Sequence, residues 1–119
     1  MSHTMNIEIE MHEKAALQAA CRRLRLELKE NQKVRFYDGT QAEGIAIKLP
    51  GWKYPIVVKN DGTVAYDNYN GRWGDISELN KLKAYYGIEK AKIEARKKGY
   101  DFIESYDRIN KKLKLRIIV

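Results

Sequence analysis

Ile56-Val57-Val58-Lys59-Asn60-Asp61-Gly62-Thr63-Val64-Ala65-Tyr66 is the stretch that decides the fold. β-Branched residues stand on both sides of Asp61-Gly62, and an Asp-Gly pair supplies the positive φ angles that a two-residue hairpin turn requires. The stretch therefore predicts two antiparallel strands, over residues 56–60 and 63–66. Working back towards the N-terminus, Pro50-Gly51 interrupts the pattern and opens a short connection through Trp52, Lys53 and Tyr54. Residues 43–49 predict a strand with Ile45 and Ile47 on one face and Gly44 marking a bulge. Asp38-Gly39 signals a second hairpin, whose other strand covers residues 33–37 with Val34 and Phe36 inward.

Before that strand the periodicity changes. Leu17, Cys21, Leu24 and Leu28 recur at spacings of three and four, with Ala20 beside them, and Arg22, Arg23, Arg25 and Lys29 take the outer faces. The spacing predicts a helix over residues 12–30, stopped at Asn31. Met5, Ile7 and Ile9 alternate with Asn6, Glu8 and Glu10, which predicts a half-buried strand over residues 5–10.

Towards the C-terminus, residues 67–74 form a loop rich in turn formers and aromatics. Asp75 is a good N-cap, with Glu78 at capping-box spacing. A helix is expected over residues 76–85, and Gly87 divides or kinks it from a second stretch over residues 88–98. Gly99 suits the position just past the helix end, and Arg96, Lys97 and Lys98 suit the negative end of the helix dipole. Two strands close the chain, over residues 100–106 and 111–119, with a turn at 107–110. In the last, Leu113, Leu115 and Ile117 alternate with Lys112, Lys114 and Arg116, giving one buried and one cationic face.

The order predicts an α+β fold: an antiparallel sheet with helices packed on one face, in two β-α-β-β-like halves. At 119 residues the chain fits a single domain over 1–119, with halves at roughly 1–50 and 54–119. No apolar run approaches the roughly 20 residues needed to span a bilayer. The first residues carry no charged stretch followed by an apolar one, so a cytoplasmic location without a membrane partner is expected.

The net charge of +7 is unevenly placed. Residues 1–80 hold 11 basic and 11 acidic side chains, whereas residues 81–119 hold 12 basic against 5 acidic and so carry the whole excess. Such asymmetry points to an anionic partner or to a solvated helix end and edge strand.

The opening Met1-Ser2-His3 before a strand and helix, the segment Asn70-Gly71-Arg72-Trp73, the pair Tyr85-Tyr86, and an alanine-containing helix ending at Gly99-Tyr100 together resemble the DUF1257 family. That family is met in algal plastids, cyanobacteria, other bacteria and phages, sometimes encoded near an AAA-type ATPase. The resemblance covers most of the chain and departs from the family most over residues 33–54. It implies a small protein with no catalytic motif, and brings no functional residues with it.

The chemistry-bearing residues point away from catalysis. His3 and His12 are too few and too separated for zinc, and no metal or other cofactor is expected. The single cysteine, Cys21, falls on the apolar stripe of the first helix, as a buried thiol does. No phosphate-cradling glycine motif occurs. Asp67, Asp75 and Glu78 could converge near the aromatic loop, but Asp75 already has a role as cap, so no catalytic residue is assigned.

Recognition of a protein partner is the leading reading. Tyr66, Tyr69, Arg72 and Trp73 bring to one loop the residue types that dominate interface hot spots, and Trp52 with Tyr54 adds a second aromatic group. The competing structural role for these aromatics is to cap the core. Homo-oligomerisation through an exposed sheet edge is a version of the same reading. The alternative is nucleic-acid binding by Arg96, Lys97, Lys98, Lys111, Lys112, Lys114 and Arg116, with Tyr100 and Tyr106 as stacking surface. Lysines on an edge strand also defend it against unwanted pairing.

Overall fold

The computed structural model describes residues 10–119. Its elements run α1 (Lys14–Leu24), β1 (Leu28–Arg35), β2 (Gln41–Ile47), β3 (Ile56–Val58), β4 (Val64–Ala65), a 3-10 turn (Tyr69–Gly71), α2 (Ile76–Lys97), β5 (Asp101–Asp107) and β6 (Lys112–Ile118). All strand pairs are antiparallel, and the fold is α+β. The strand expected over residues 5–10 lies, but for Glu10, outside the described residues.

The strands divide between two sheets where the sequence led us to expect one. β1-β2-β3-β4 form a meander, and β5-β6 form a separate hairpin. Both hairpins lie at their Asp-Gly pairs, but the turn expected to have two residues has three. Lys59 pairs with Thr63 around Asn60-Asp61-Gly62, as Phe36 does with Thr40 around Tyr37-Asp38-Gly39, and only the glycine of each takes a positive φ. In each turn the aspartate carboxylate accepts the backbone N–H and the hydroxyl of a threonine two residues on: Asp38 from Thr40, Asp61 from Thr63.

α1 is shorter than expected. It ends at Leu24 because Arg25 turns left-handed (φ 57°) and the Leu26 N–H reaches back to the Cys21 carbonyl at 2.8 Å, a closure that satisfies the last carbonyls of a helix. Residues 28–30, expected in the helix, begin β1 instead, where Leu28 pairs with Ile47. Between Lys29 and Gln32 the register shifts, and Asn31 sits at φ 54°. This bulge switches β1 from one face of the sheet to the other, since an extra residue inverts a period of two. Leu28 packs on the helix side with Ile45, Ile47, Ile56 and Val58, while Val34 joins Phe36, Ala42 and Val57 on the far side. Gly44 lies beside the bulge as expected, although the extra residue belongs to the facing strand. A Cβ at Gly44 would stand 2.3 Å from the Val58 carbonyl oxygen, which explains the glycine.

The main core joins Ala16, Leu17, Ala20 and Cys21 of α1 to Leu79, Leu82 and Tyr86 of α2 and to the helix side of the sheet. Burial pushes the Cys21 thiol up to about 11, so it stays protonated at neutral pH. The Tyr86 hydroxyl accepts the Glu13 N–H at 2.9 Å, satisfying a donor at the start of α1. Asp75 caps α2 as the sequence indicates, accepting the Ser77 N–H at 2.9 Å. α2 then runs unbroken past Gly87, held by the burial of Leu79, Leu82, Tyr86 and Ala95 on either side of it. The expected division into two helices does not occur.

Candidate functional site: an aromatic surface on the far side of the sheet

The far side of the meander is covered by aromatic side chains from three connections. Phe36 and Tyr37 come from the end of β1, Tyr54 from the β2–β3 connection, and Tyr69 and Trp73 from the loop before α2. Trp73 is the hub. Tyr69 stacks on it at 4.6 Å between ring centroids, Tyr37 meets it edge-on at 5.2 Å and Tyr54 at 5.9 Å. Tyr54 in turn lies edge-on to Phe36 at 6.2 Å. Two cations lie over these rings: Lys53 Nζ at 4.5 Å from the centroid of Trp73, and the Arg72 guanidinium at 5.4 Å from that of Tyr69.

The loop is held by its own backbone. The Trp73 N–H donates to the Asn68 carbonyl at 2.9 Å and the Lys53 N–H to the Trp73 carbonyl at 2.8 Å, while Asp67 accepts the Tyr69 N–H at 3.2 Å. Tyr69, Asn70 and Gly71 all have positive φ, at 46°, 53° and 92°. For Tyr69 and Asn70 this is a strained conformation, kept only where the surroundings impose it.

Of the residues singled out in the sequence, Tyr54, Tyr69, Arg72 and Trp73 come together here. Tyr66 is exposed but its ring lies edge-on to Trp52 at 5.8 Å, outside the cluster. Trp52 is a correction: it is 2% exposed and belongs to the core. Its indole N–H donates to the Asp75 carbonyl at 3.1 Å, and its ring packs so closely on Gly74 that a Cβ there would lie 2.3 Å from it. Trp73 is half-buried, its ring enclosed by those of Tyr37, Tyr54 and Tyr69. Tyr37 and Lys53 complete the site and were not singled out. Tyr37 is 70% exposed, and its signal in the sequence is an aromatic placed directly before the Asp38-Gly39 turn.

The carboxylates near the loop serve local structure: Asp67 closes its turn, and Asp75 caps the helix, where the Ser77 backbone N–H holds its carboxyl below the usual range.

The basic residues of the C-terminal part do not form one surface. Directly paired residues of an antiparallel ladder share a face. Arg116 pairs with Ile103, Lys114 with Ser105 and Lys112 with Asp107, placing these cations on one face of the hairpin. Phe102 pairs with Ile117 on the other face, and the Arg96 guanidinium lies over the Phe102 ring at 5.1 Å. Tyr106, paired with Leu113, shares that second face. The helix-end arginine and Tyr106 therefore sit across the hairpin from Lys112, Lys114 and Arg116. Lys97 and Lys98 are exposed at the end of α2, Tyr100 is exposed just before β5, and Lys111 occupies the turn with φ 52°. Among the described residues no helix is long and apolar enough to cross a membrane.

Compared with protein-family models, with curated proteins and with solved structures, the chain gives no match.

Proposed function

We propose that this protein is a non-enzymatic adaptor that binds another protein through the aromatic surface of Tyr37, Tyr69, Arg72 and Trp73, flanked by Lys53. The observation that carries this reading is Tyr69, 46% exposed, held at positive φ and stacked flat on Trp73. A core cap needs no strained, half-exposed ring. A recognition surface gains from one, because a ring fixed before binding loses little entropy on contact. Tyr, Trp and Arg are also the side chains whose truncation most often costs an interface 2 kcal/mol or more, roughly a thirty-fold loss of affinity. We also propose membership of the DUF1257 family, on the segments that resemble it, and a cytoplasmic location, on a sequence in which no apolar run approaches the length needed to span a bilayer.

The test is affinity capture from the native host at physiological salt, with nuclease treatment, comparing wild type with Tyr37→Ala/Tyr69→Ala and with Arg72→Ala. These side chains are exposed, so the thermal transition is expected to move by only a few degrees. A nuclease-resistant protein partner should be retained by wild type and lost by both variants. Variants that keep every partner while remaining folded would remove the loop from consideration.

Nucleic-acid binding by Lys112, Lys114 and Arg116 is the second reading, favoured by their alignment on one strand face. It predicts binding to DNA or RNA at low salt that weakens steeply as salt rises. The absence of stacking aromatics among those three side chains weighs against it.

A further inference from the structure

We propose that β6 docks an acidic, extended segment of a protein partner, one whose carboxylates alternate with apolar side chains. This surface is separate from the aromatic one and stands or falls independently of it.

The outward face of the hairpin presents Lys112, Lys114 and Arg116 at every second residue, facing Asp107, Ser105 and Ile103 across the ladder, so that Lys114 and Arg116 have no carboxylate directly opposite. Neighbours two apart on a strand are about 6.6–6.8 Å apart, and so are carboxylates at every second position of another extended chain. A strand laid along β6 can therefore meet each cation with a carboxylate, and opposite charges paired across strands are stabilising. The apolar side chains of such a strand point to the opposite face, beside Leu113, Leu115 and Ile117 of β6, of which Ile117 is 40% exposed. Lys114 is 62% exposed despite its 3.5 Å approach to Asp107. Among the described residues β6 pairs only with β5, so its other edge can accept backbone hydrogen bonds of the kind that add a strand to a sheet.

Charge decides against the other occupants. Antiparallel pairing of β6 with β6 of a second copy, in any in-phase register centred between Lys112 and Arg116, sets a cation against a cation, as Lys114 against Arg116. Single-stranded nucleic acid calls for aromatic side chains beside the cations, and Tyr106 lies on the opposite face of the hairpin.

The experiment uses the full chain and a fluorescein-labelled octapeptide of alternating Glu and Val, with a Lys–Val octapeptide as control, read by fluorescence anisotropy. The Glu–Val peptide is expected to bind wild type at 50 mM salt and to weaken several-fold at 300 mM. Lys114→Glu/Arg116→Glu should reduce its affinity at least ten-fold, and Lys114→Gln/Arg116→Gln should give an intermediate loss. Circular dichroism melting checks that both variants stay folded. Four results would each overturn the proposal. The first is no binding of the Glu–Val peptide to wild type at low salt. The second is tighter binding of an oligothymidylate of equal charge. The third is a dimer in sedimentation that the charge-reversed variant abolishes. The fourth is peptide binding that appears only in Glu8→Lys/Glu10→Lys, which would assign the edge to the chain's own alternating residues 5–10.

Discussion

Two tryptophans show how much rests on single contacts. Trp73 is surrounded by the rings of Tyr37, Tyr54 and Tyr69 with Lys53 over its face, whereas Trp52 is sealed into the main core by one hydrogen bond to the Asp75 carbonyl and one bare backbone, that of Gly74. A methyl group on Gly74 would overlap the indole at 2.3 Å, and that neighbour is a buried ring with no room to yield. Gly74→Ala is expected to cost about 1–3 kcal/mol, the range for overpacking a tight core, read as a lower midpoint in chemical denaturation with altered tryptophan fluorescence. Unchanged stability would mean that Trp52 is not locked in place. The cap at Asp75 was legible because it depends on its immediate neighbours. Trp52 was not, because Pro50-Gly51 makes its surroundings read as an exposed connection, and its partner lies far along the chain.

At the level of elements, the same division between local and distant causes recurs. Both hairpins could be located directly, since the turn chemistry is contained in the residues that make it, although the turn at Asp61-Gly62 takes in Asn60 as a third residue. The end of α1 could not. Leu24 and Leu28 fit a helical spacing of four, yet Leu24, Leu26 and Leu28 fit a strand's spacing of two equally well, and all three pack on the core. Pairing of Leu28 with Ile47 decides between them, and that is a tertiary contact. Gly87 misled in the opposite direction. Its intrinsic cost in a helix is only about 1 kcal/mol, too little to break α2 when Leu79, Leu82 and Tyr86 before it and Ala95 after it are buried. Nothing lies where its Cβ would be, so Gly87→Ala is expected to stabilise the protein by about 0.5–1 kcal/mol. Thermal denaturation checks this, and a destabilised variant would show that α2 needs flexibility at that point.

Across the whole molecule, the division into meander and hairpin raises the question of what joins them, since a lone two-stranded hairpin is marginal in water. The joint is a charged network shared by three elements. Arg23 of α1 donates to Glu104 of β5 through two nitrogens, at 2.8 and 3.1 Å, and to Glu89 of α2 at 2.9 Å. Lys92 of α2 adds a contact to Glu104 at 2.8 Å, and the Arg23 guanidinium lies over the Tyr85 ring. Burial alone would raise the Glu104 carboxyl, but the hydrogen bonds and charges of Arg23 and Lys92 outweigh it and hold it below the usual carboxylate range. A carboxyl with a lowered folded pKa contributes stability that is fully present above its unfolded value, about 4.3, and is lost as the pH falls through the lower folded value. Glu104→Gln should therefore weaken docking of the hairpin by about 1.5–3 kcal/mol at neutral pH, the worth of hydrogen bonds to a charged group, and the gap from wild type should shrink in acid. Because the network holds the hairpin rather than the meander, the loss should be local. Native-state hydrogen exchange at neutral pH is expected to show β5 and β6 amides losing protection in Glu104→Gln while those of β2 and β3 keep most of theirs. Equal loss across both sheets would mean that the hairpin and the core open as one unit, and that the network is not the joint between them.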